Sequence, residues 1–312
     1  MKLSRLLMLS LCCCTPAFAQ SKPPSKPYAL PAMSTKPPVE SGPVRVRVSI
    51  VGFVAVAQTW DDAMQRDGKD DEVFLLAEAR RFQVADNVAS AAGVDIVRSL
   101  VMGDINGFRP EDRIRAGHAS DDGGIQTGDK VGTTGTRHGT PRADRLPLRI
   151  FEGELYGGMS LLVVPTIWEW DGAPGPLEQL ARGMLAPLDV AGASFDIAAA
   201  EIGRSERGAD TGLGYLGRYS ELLGVRDVVG VNEVQDQTVV GTQADRPIGM
   251  SQAGGGKYRF DPWVIRLGPQ GVRNAAARDR GLGPGVIVLH YEDAPALRGK
   301  YDLYVQIEDL TN

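Results

Sequence analysis

The sequence predicts an antiparallel β-sandwich, mainly β and α+β overall, carrying a helical insertion around residues 176–223. Three observations carry this. Val44, Val46, Val48 and Ile50 alternate with Arg45, Arg47 and Ser49, and Tyr301, Leu303, Val305 and Ile307 alternate with Asp302, Tyr304 and Gln306. A period of two places each apolar set on one face of a strand. Between these ends, short apolar runs bounded by glycine-rich turns recur, whereas Leu177, Leu180, Ala181, Met184, Leu185 and Leu188 follow helical spacing behind Pro176.

In chain order, Val73–Ala79 reads as a strand, although Leu75-Leu76-Ala77-Glu78-Ala79-Arg80 also suits a helix. Val94–Met102 is a short apolar run, and residues 117–145 are rich in Gly, Asp, Thr and Arg, as expected of a long exposed loop. Leu146–Glu154 and Met159–Trp170 read as two strands around Tyr156-Gly157-Gly158. Helices are expected over Pro176–Leu188, from a Ser194 cap to Ile202, and over Leu213–Leu223. Strands return at Asp227–Gly241, Tyr258–Leu267, Val286–His290 and Tyr301–Ile307, with Gly254-Gly255-Gly256 as a turn.

The N-terminus has the three parts of an export signal: Lys2 and Arg5, the apolar run Leu6–Cys14, and Ala17-Phe18-Ala19. Leu11 before Cys12 is not the small residue that a lipoprotein signal places there. The expected organisation is therefore a signal peptide at 1–19 and a Pro-rich linker at 20–43. A β-sandwich at 44–172 follows, then a helical insertion with further strands at 173–312, either separate or one domain with 44–172. All three cysteines lie within the signal, so the mature chain has no thiol and no disulfide. A secreted or periplasmic bacterial protein fits this pattern. No later stretch reaches the roughly 20 apolar residues of a membrane-spanning helix. Without Lys2 and Arg5 the chain has 32 basic against 39 acidic residues, a net charge of −7 that argues against nucleic-acid binding.

The stretch from Trp60 to Phe74 places six carboxylates within twelve residues, and Gly68 allows a bend. Clustered oxygens on a bent loop are what Ca²⁺ requires, although the EF-hand spacing is missing. With Asp71-Glu72-Val73-Phe74 opening the next strand, and Leu161–Pro165 leading to Trp168-Glu169-Trp170-Asp171, the order of elements resembles a C2 domain. The resemblance covers residues 44–172, lacks the proline of the family's Asp-Pro-Tyr-Val opening, and has about 60 extra residues between its two motifs. It implies a Ca²⁺ site at one end of the sandwich, in which Asp67 and Asp71 meet Glu169 and Asp171, and the acidic loop adds Asp70 and Glu72 as further candidate ligands.

Other motifs are weaker. His118, His138 and His290 lack the His-Glu-x-x-His spacing of a zinc helix, and His290 reads as a strand residue with a satisfied ring nitrogen. Gly192-Ala193-Ser194-Phe195-Asp196 departs from the serine hydrolase elbow. Trp168 and Trp170 share a strand face, suited either to burial or to stacking on sugar rings. Three function classes follow: an exported non-catalytic binding protein for a glycan, a lipid surface or a protein partner; a secreted glycosidase-like hydrolase using Glu169 and Asp171; and a cell-envelope interaction protein. The first is preferred, and no catalytic residue is assigned. If the export signal acts as read, mass spectrometry of the protein recovered outside the cytoplasm finds Gln20 at its N-terminus. A start at a lipid-modified Cys12, Cys13 or Cys14 refutes that.

Overall fold

The computed structural model describes residues 42–59, 70–85, 88–103, 113–116, 124–132, 146–170, 214–222, 233–235 and 245–311. The expected signal peptide, nearly all of the expected linker, and the helices expected over Pro176–Leu188 and Ser194–Ile202 lie outside the described residues, as do His118 and His138. The first half holds β1 (Val44–Ala57), β2 (Val73–Ala85), β3 (Val88–Arg98), β4 (Val101–Gly103), β5 (Arg113–Arg115), β6 (Lys130–Gly132), β7 (Leu148–Leu155) and β8 (Met159–Glu169). After these come β9 (Tyr215–Arg218), α1 (Tyr219–Leu222), β10 (Glu233–Gln235), β11 (Arg246–Pro247), β12 (Met250–Gly254), β13 (Lys257–Phe260) and β14 (Trp263–Leu267). The chain closes with α2 (Pro269–Ala276), β15 (Val286–Glu292) and β16 (Lys300–Asp309). The fold is mainly β, as predicted.

Two sheets share one apolar core. The first runs β15-β16-β1, with β7 and β6 sharing the far side of β1; the second runs β5-β4-β2-β8-β14-β9, with β3 added on β2 and β11 on β8. A small third sheet pairs β10, β13 and β12. Every pairing between these strands is antiparallel except that of β4 with β5. The region after residue 213 supplies strands to both main sheets, so residues 44–172 do not build them alone.

The predicted alternation is seen in β1 and β16. Val44, Val46, Val48 and Ile50 are fully buried, as are Tyr301, Leu303, Val305 and Ile307. Between Ile50 and Gly52 the register with β16 slips by one residue. This bulge switches the phase, so Phe53 and Ala55 face inward beyond it. β2 pairs with β8 from Val73↔Glu169 to Gln83↔Met159. Every residue of β2 from Val73 to Arg80 is buried on whichever face it lies, which erases the alternation and explains why the segment also suited a helix. The guanidinium of Arg81 lies 5.7 Å from the ring centre of Phe151 on β7, so the odd-numbered face of β2 looks toward the first sheet.

Several expectations are corrected. Residues 214–222 form a strand and one helical turn instead of a helix, because β9 is drawn into the sheet by β14, from Trp263↔Arg218 to Arg266↔Tyr215. The supposed loop at 117–145 contains β6 and the fully buried Ile125, which bridges to Asp71. The Val94–Met102 run divides between β3 and β4. Tyr156-Gly157-Gly158 carries the chain from β7 in the first sheet to β8 in the second, so these strands are not partners. Tyr258–Leu267 is two strands, with Gly255 and Gly256 turning into the first at φ of 62° and 71°, angles that favour glycine. Helix α2 was not foreseen: it is eight residues long, includes Gly271, and has no side-chain cap. It is held by burial of Val272 and Ala275.

If alternation decides burial in β16, Leu303→Ala costs about 3 kcal/mol of unfolding free energy. Gln306→Ala, on the other face, costs less than about 0.5 kcal/mol. Equal shifts in urea denaturation at the two positions would contradict this assignment.

Candidate functional site

At the end of the sandwich where β1 and β8 finish and β2 and β16 begin, alternation turns Tyr301 inward. There it meets Thr59 just beyond β1, Asp71 just before β2, and Glu169 at the end of β8. Arg246 of β11 lies opposite Glu169 in register, and Asp293 follows β15. All six are buried, from 0% exposure at Tyr301 to 8% at Thr59. Asp71 Oδ2 accepts from the Thr59 amide at 2.9 Å and the Tyr301 hydroxyl at 2.5 Å. Arg246 bridges two carboxylates: Nη2 pairs with Glu169 Oε2, and Nη1 with Asp293 Oδ2 at 2.9 Å. Asp293 Oδ1 also accepts the Gly249 and Met250 amides at 2.7 and 2.9 Å. The space is tight. A Cβ on Gly299 would stand 2.5 Å from Asp293 Oδ2 and 2.8 Å from Thr59 Cγ2, so the position admits only glycine without rearrangement.

The Thr59 hydroxyl carries one proton but lies 2.9 Å from Asp71 Oδ1 and 2.5 Å from Glu169 Oε1. A hydroxyl donates to one acceptor only, so both contacts are hydrogen bonds only when one carboxyl itself carries a proton. Burial pushes Asp71 up to about 6, against the opposing pull of the Tyr301 and Thr59 bonds and of Arg246. Below about pH 6 Asp71 carries that proton. It donates to Thr59, which donates to Glu169, whose charge Arg246 balances. Burial holds the Tyr301 hydroxyl protonated, and above about pH 6 the Asp71 charge adds to that effect.

Of the six residues predicted to share a site, the structure brings Asp71 and Glu169 together. Asp70 turns away: its two oxygens accept from Gln58 Nε2 and Gln126 Nε2, each at 2.7 Å. Glu72 is nearly buried, and its main-chain oxygen accepts from the Trp170 amide. Asp67 and Asp171 lie outside the described residues. Each oxygen of Asp71 and Glu169 already meets a protein partner, so these two carboxylates as arranged do not fit a Ca²⁺ ion between them. Among the described residues, no group of three or more His, Cys, Asp or Glu side chains is placed to hold a metal ion. Sequence reading missed Thr59, Arg246, Asp293 and Tyr301 as site residues. No local motif joins them, and only the alternation at Tyr301 hinted at an inward position.

The other sequence candidates resolve simply. Trp168 is 1% exposed and stacks on Phe74 with ring centres 6.0 Å apart, so it is core and not a sugar platform. His290 is an exposed strand residue whose Nδ1 meets Asp302 Oδ1 at 2.6 Å.

A second feature lies along the side of the sandwich. Among the described residues, β3 pairs only with β2, and β7 only with β1. Between these strands lies a groove of about 520 Å³, with Asp95, Ile96 and Val97 on one wall and Arg149–Gly153 on the other. Val94 and Ile96 are each 44% exposed. At the β7 wall, Arg45, Arg47 and Arg149 converge on Glu152 at 2.8, 3.0 and 3.4 Å. Hydrogen bonds from Arg47 and Arg45 hold the Glu152 carboxyl below its usual range. Comparison with protein-family models, curated proteins and solved structures finds no match to this chain.

Folding raises the Asp71 pKa from 3.8 to about 6, so the folded chain keeps a proton that the unfolded chain releases. The stability this proton confers is complete below about pH 3.8 and is lost as pH rises through about 6. The shift corresponds to something on the order of 3 kcal/mol. Melting temperature should therefore fall from about pH 4 to just above pH 6 and level off beyond, and Asp71→Asn, which supplies a permanent donor to Thr59, should flatten that fall. An identical pH profile in the variant would show that Asp71 is not the group that titrates.

Proposed function

We propose that this chain is an exported, non-catalytic binding protein that takes an extended polypeptide segment of a protein partner along the groove between β3 and β7. The observation that carries the reading is the groove itself. Its volume of about 520 Å³ lies within the roughly 300–1,000 Å³ usual for ligand sites. Its walls are two strands that each have one partner among the described residues, and an unpaired strand edge offers amide and carbonyl groups to an added strand. Ile96 and Val97 offer apolar contact. Arg45 and Arg149, 57% and 66% exposed, share Glu152 with Arg47, which favours an acidic side chain on the ligand.

The hydrolase reading is less well supported. A general acid must reach its substrate, and Glu169 is 2% exposed and paired with Arg246. No helix among the described residues is long and apolar enough to cross a membrane.

Selection of a displayed random-peptide library against the protein tests this reading. Expected are extended, acid-containing peptides whose binding slows amide exchange in β3 or β7, and whose affinity falls at least about tenfold with Ile96→Lys or Arg149→Glu. Failure to enrich any peptide, or peptides that bind both variants as tightly as the native chain, would refute the groove as the binding site.

A further inference from the structure

We infer that Arg246 occupies the role that the C2-like resemblance assigns to a divalent cation, so that the chain's own guanidinium supplies the counter-charge at this end of the sandwich, which closes without metal. The resemblance brings strand ends together with their carboxylates, and such a cluster repels itself unless a cation lies within it. Here Asp71 and Glu169 do come from the ends of β2 and β8, and both are 2% exposed. Arg246 is 4% exposed and spans Glu169 and Asp293, one with each terminal nitrogen.

Each carboxylate oxygen has a close protein contact, with Glu169 Oε2 met by its ion pair to Arg246. Thr59, Tyr301 and Arg246 meet all four oxygens of Asp71 and Glu169, and the Gly249 and Met250 amides with Arg246 meet both oxygens of Asp293. A Ca²⁺ ion coordinates six to eight oxygens. To enter here it would have to displace these donors and lie against a fixed positive charge. A guanidinium suits the place because its planar fork can serve two carboxylates at once, which a lysine ammonium does less well.

The position of Arg246 in the chain gives the assignment a structural consequence. β11 consists of two residues, paired with Glu169 and Trp168 of β8. Its ion pairs tie that short strand to β8 and, through Asp293, to the connection between β15 and β16 in the other sheet. The counter-charge of the cluster therefore also links the two sheets.

The test compares melting temperatures of the full chain in millimolar Ca²⁺ and in chelator, with variants at the cluster. The native protein should melt at the same temperature in both. Arg246→Met should lower that temperature by roughly 10 °C or more, because it leaves buried carboxylates without their counter-charge. Adding Glu169→Gln and Asp293→Asn to it should recover part of the loss. If Arg246→Met does not fold, Glu169→Gln with Asp293→Asn on the native background strands the guanidinium instead and should lower the melting temperature comparably. A Ca²⁺-dependent rise that survives Glu169→Gln places the ion elsewhere and leaves Arg246 as the counter-charge of the cluster. A rise that Glu169→Gln abolishes, or an Arg246→Met variant that melts like the native chain, overturns the inference. Neither outcome depends on what the groove binds.

Discussion

The buried cluster of Asp71, Glu169, Asp293, Arg246, Thr59 and Tyr301 is the constraint on which the rest of the sandwich depends. Three acids and one guanidinium in a low-dielectric space are tolerable only when each polar atom has a partner. Those partners come from strand ends in both sheets and from the loop after β15. Meeting that requirement sets the position of β11, the close approach of Gly299, and the inward turn of Tyr301. A slip of one residue in β16 would turn Tyr301 out to solvent and leave Asp71 without one of its donors.

The two ends of the sandwich are closed by different means. At the opposite end, α2 buries Val272 and Ala275, and Arg273 donates to the main-chain oxygens of Gly42 and Pro43. That end is closed mainly by apolar contact, which carries little directional information. The polar end is directional, because each hydrogen bond and ion pair has its own geometry. The groove between β3 and β7 lies where neither device operates. There each strand keeps one partner among the described residues, and three arginines gather at one glutamate. The binding groove proposed above lies at this place.

The same chemistry explains why an acidic sequence signal is ambiguous. Carboxylates crowded near strand ends can serve a metal or an internal cation, and composition near Asp71 does not distinguish the two. What distinguishes them is a residue 175 positions later, Arg246. It arrives only because β11 pairs with β8.

The mainly β character, the inward faces of β1 and β16, and the strands around Tyr156-Gly157-Gly158 were legible from the sequence alone. Strands with one buried face write a period of two into the chain, and that period needs no knowledge of partners. Asp71 and Glu169 were singled out from the sequence, and the structure joins them through the Thr59 hydroxyl. Tertiary structure alone decided the remainder. β2 and β8 are buried on both faces and so lose their alternation. β9 is a strand because β14 supplies its hydrogen bonds, and α2 is a helix because the core receives Val272 and Ala275. The partners of Asp71 lie at Thr59 and Tyr301, and those of Glu169 at Thr59 and Arg246. Such long-range pairings are set by three-dimensional closure of the sheets, which leaves no periodic trace along the chain.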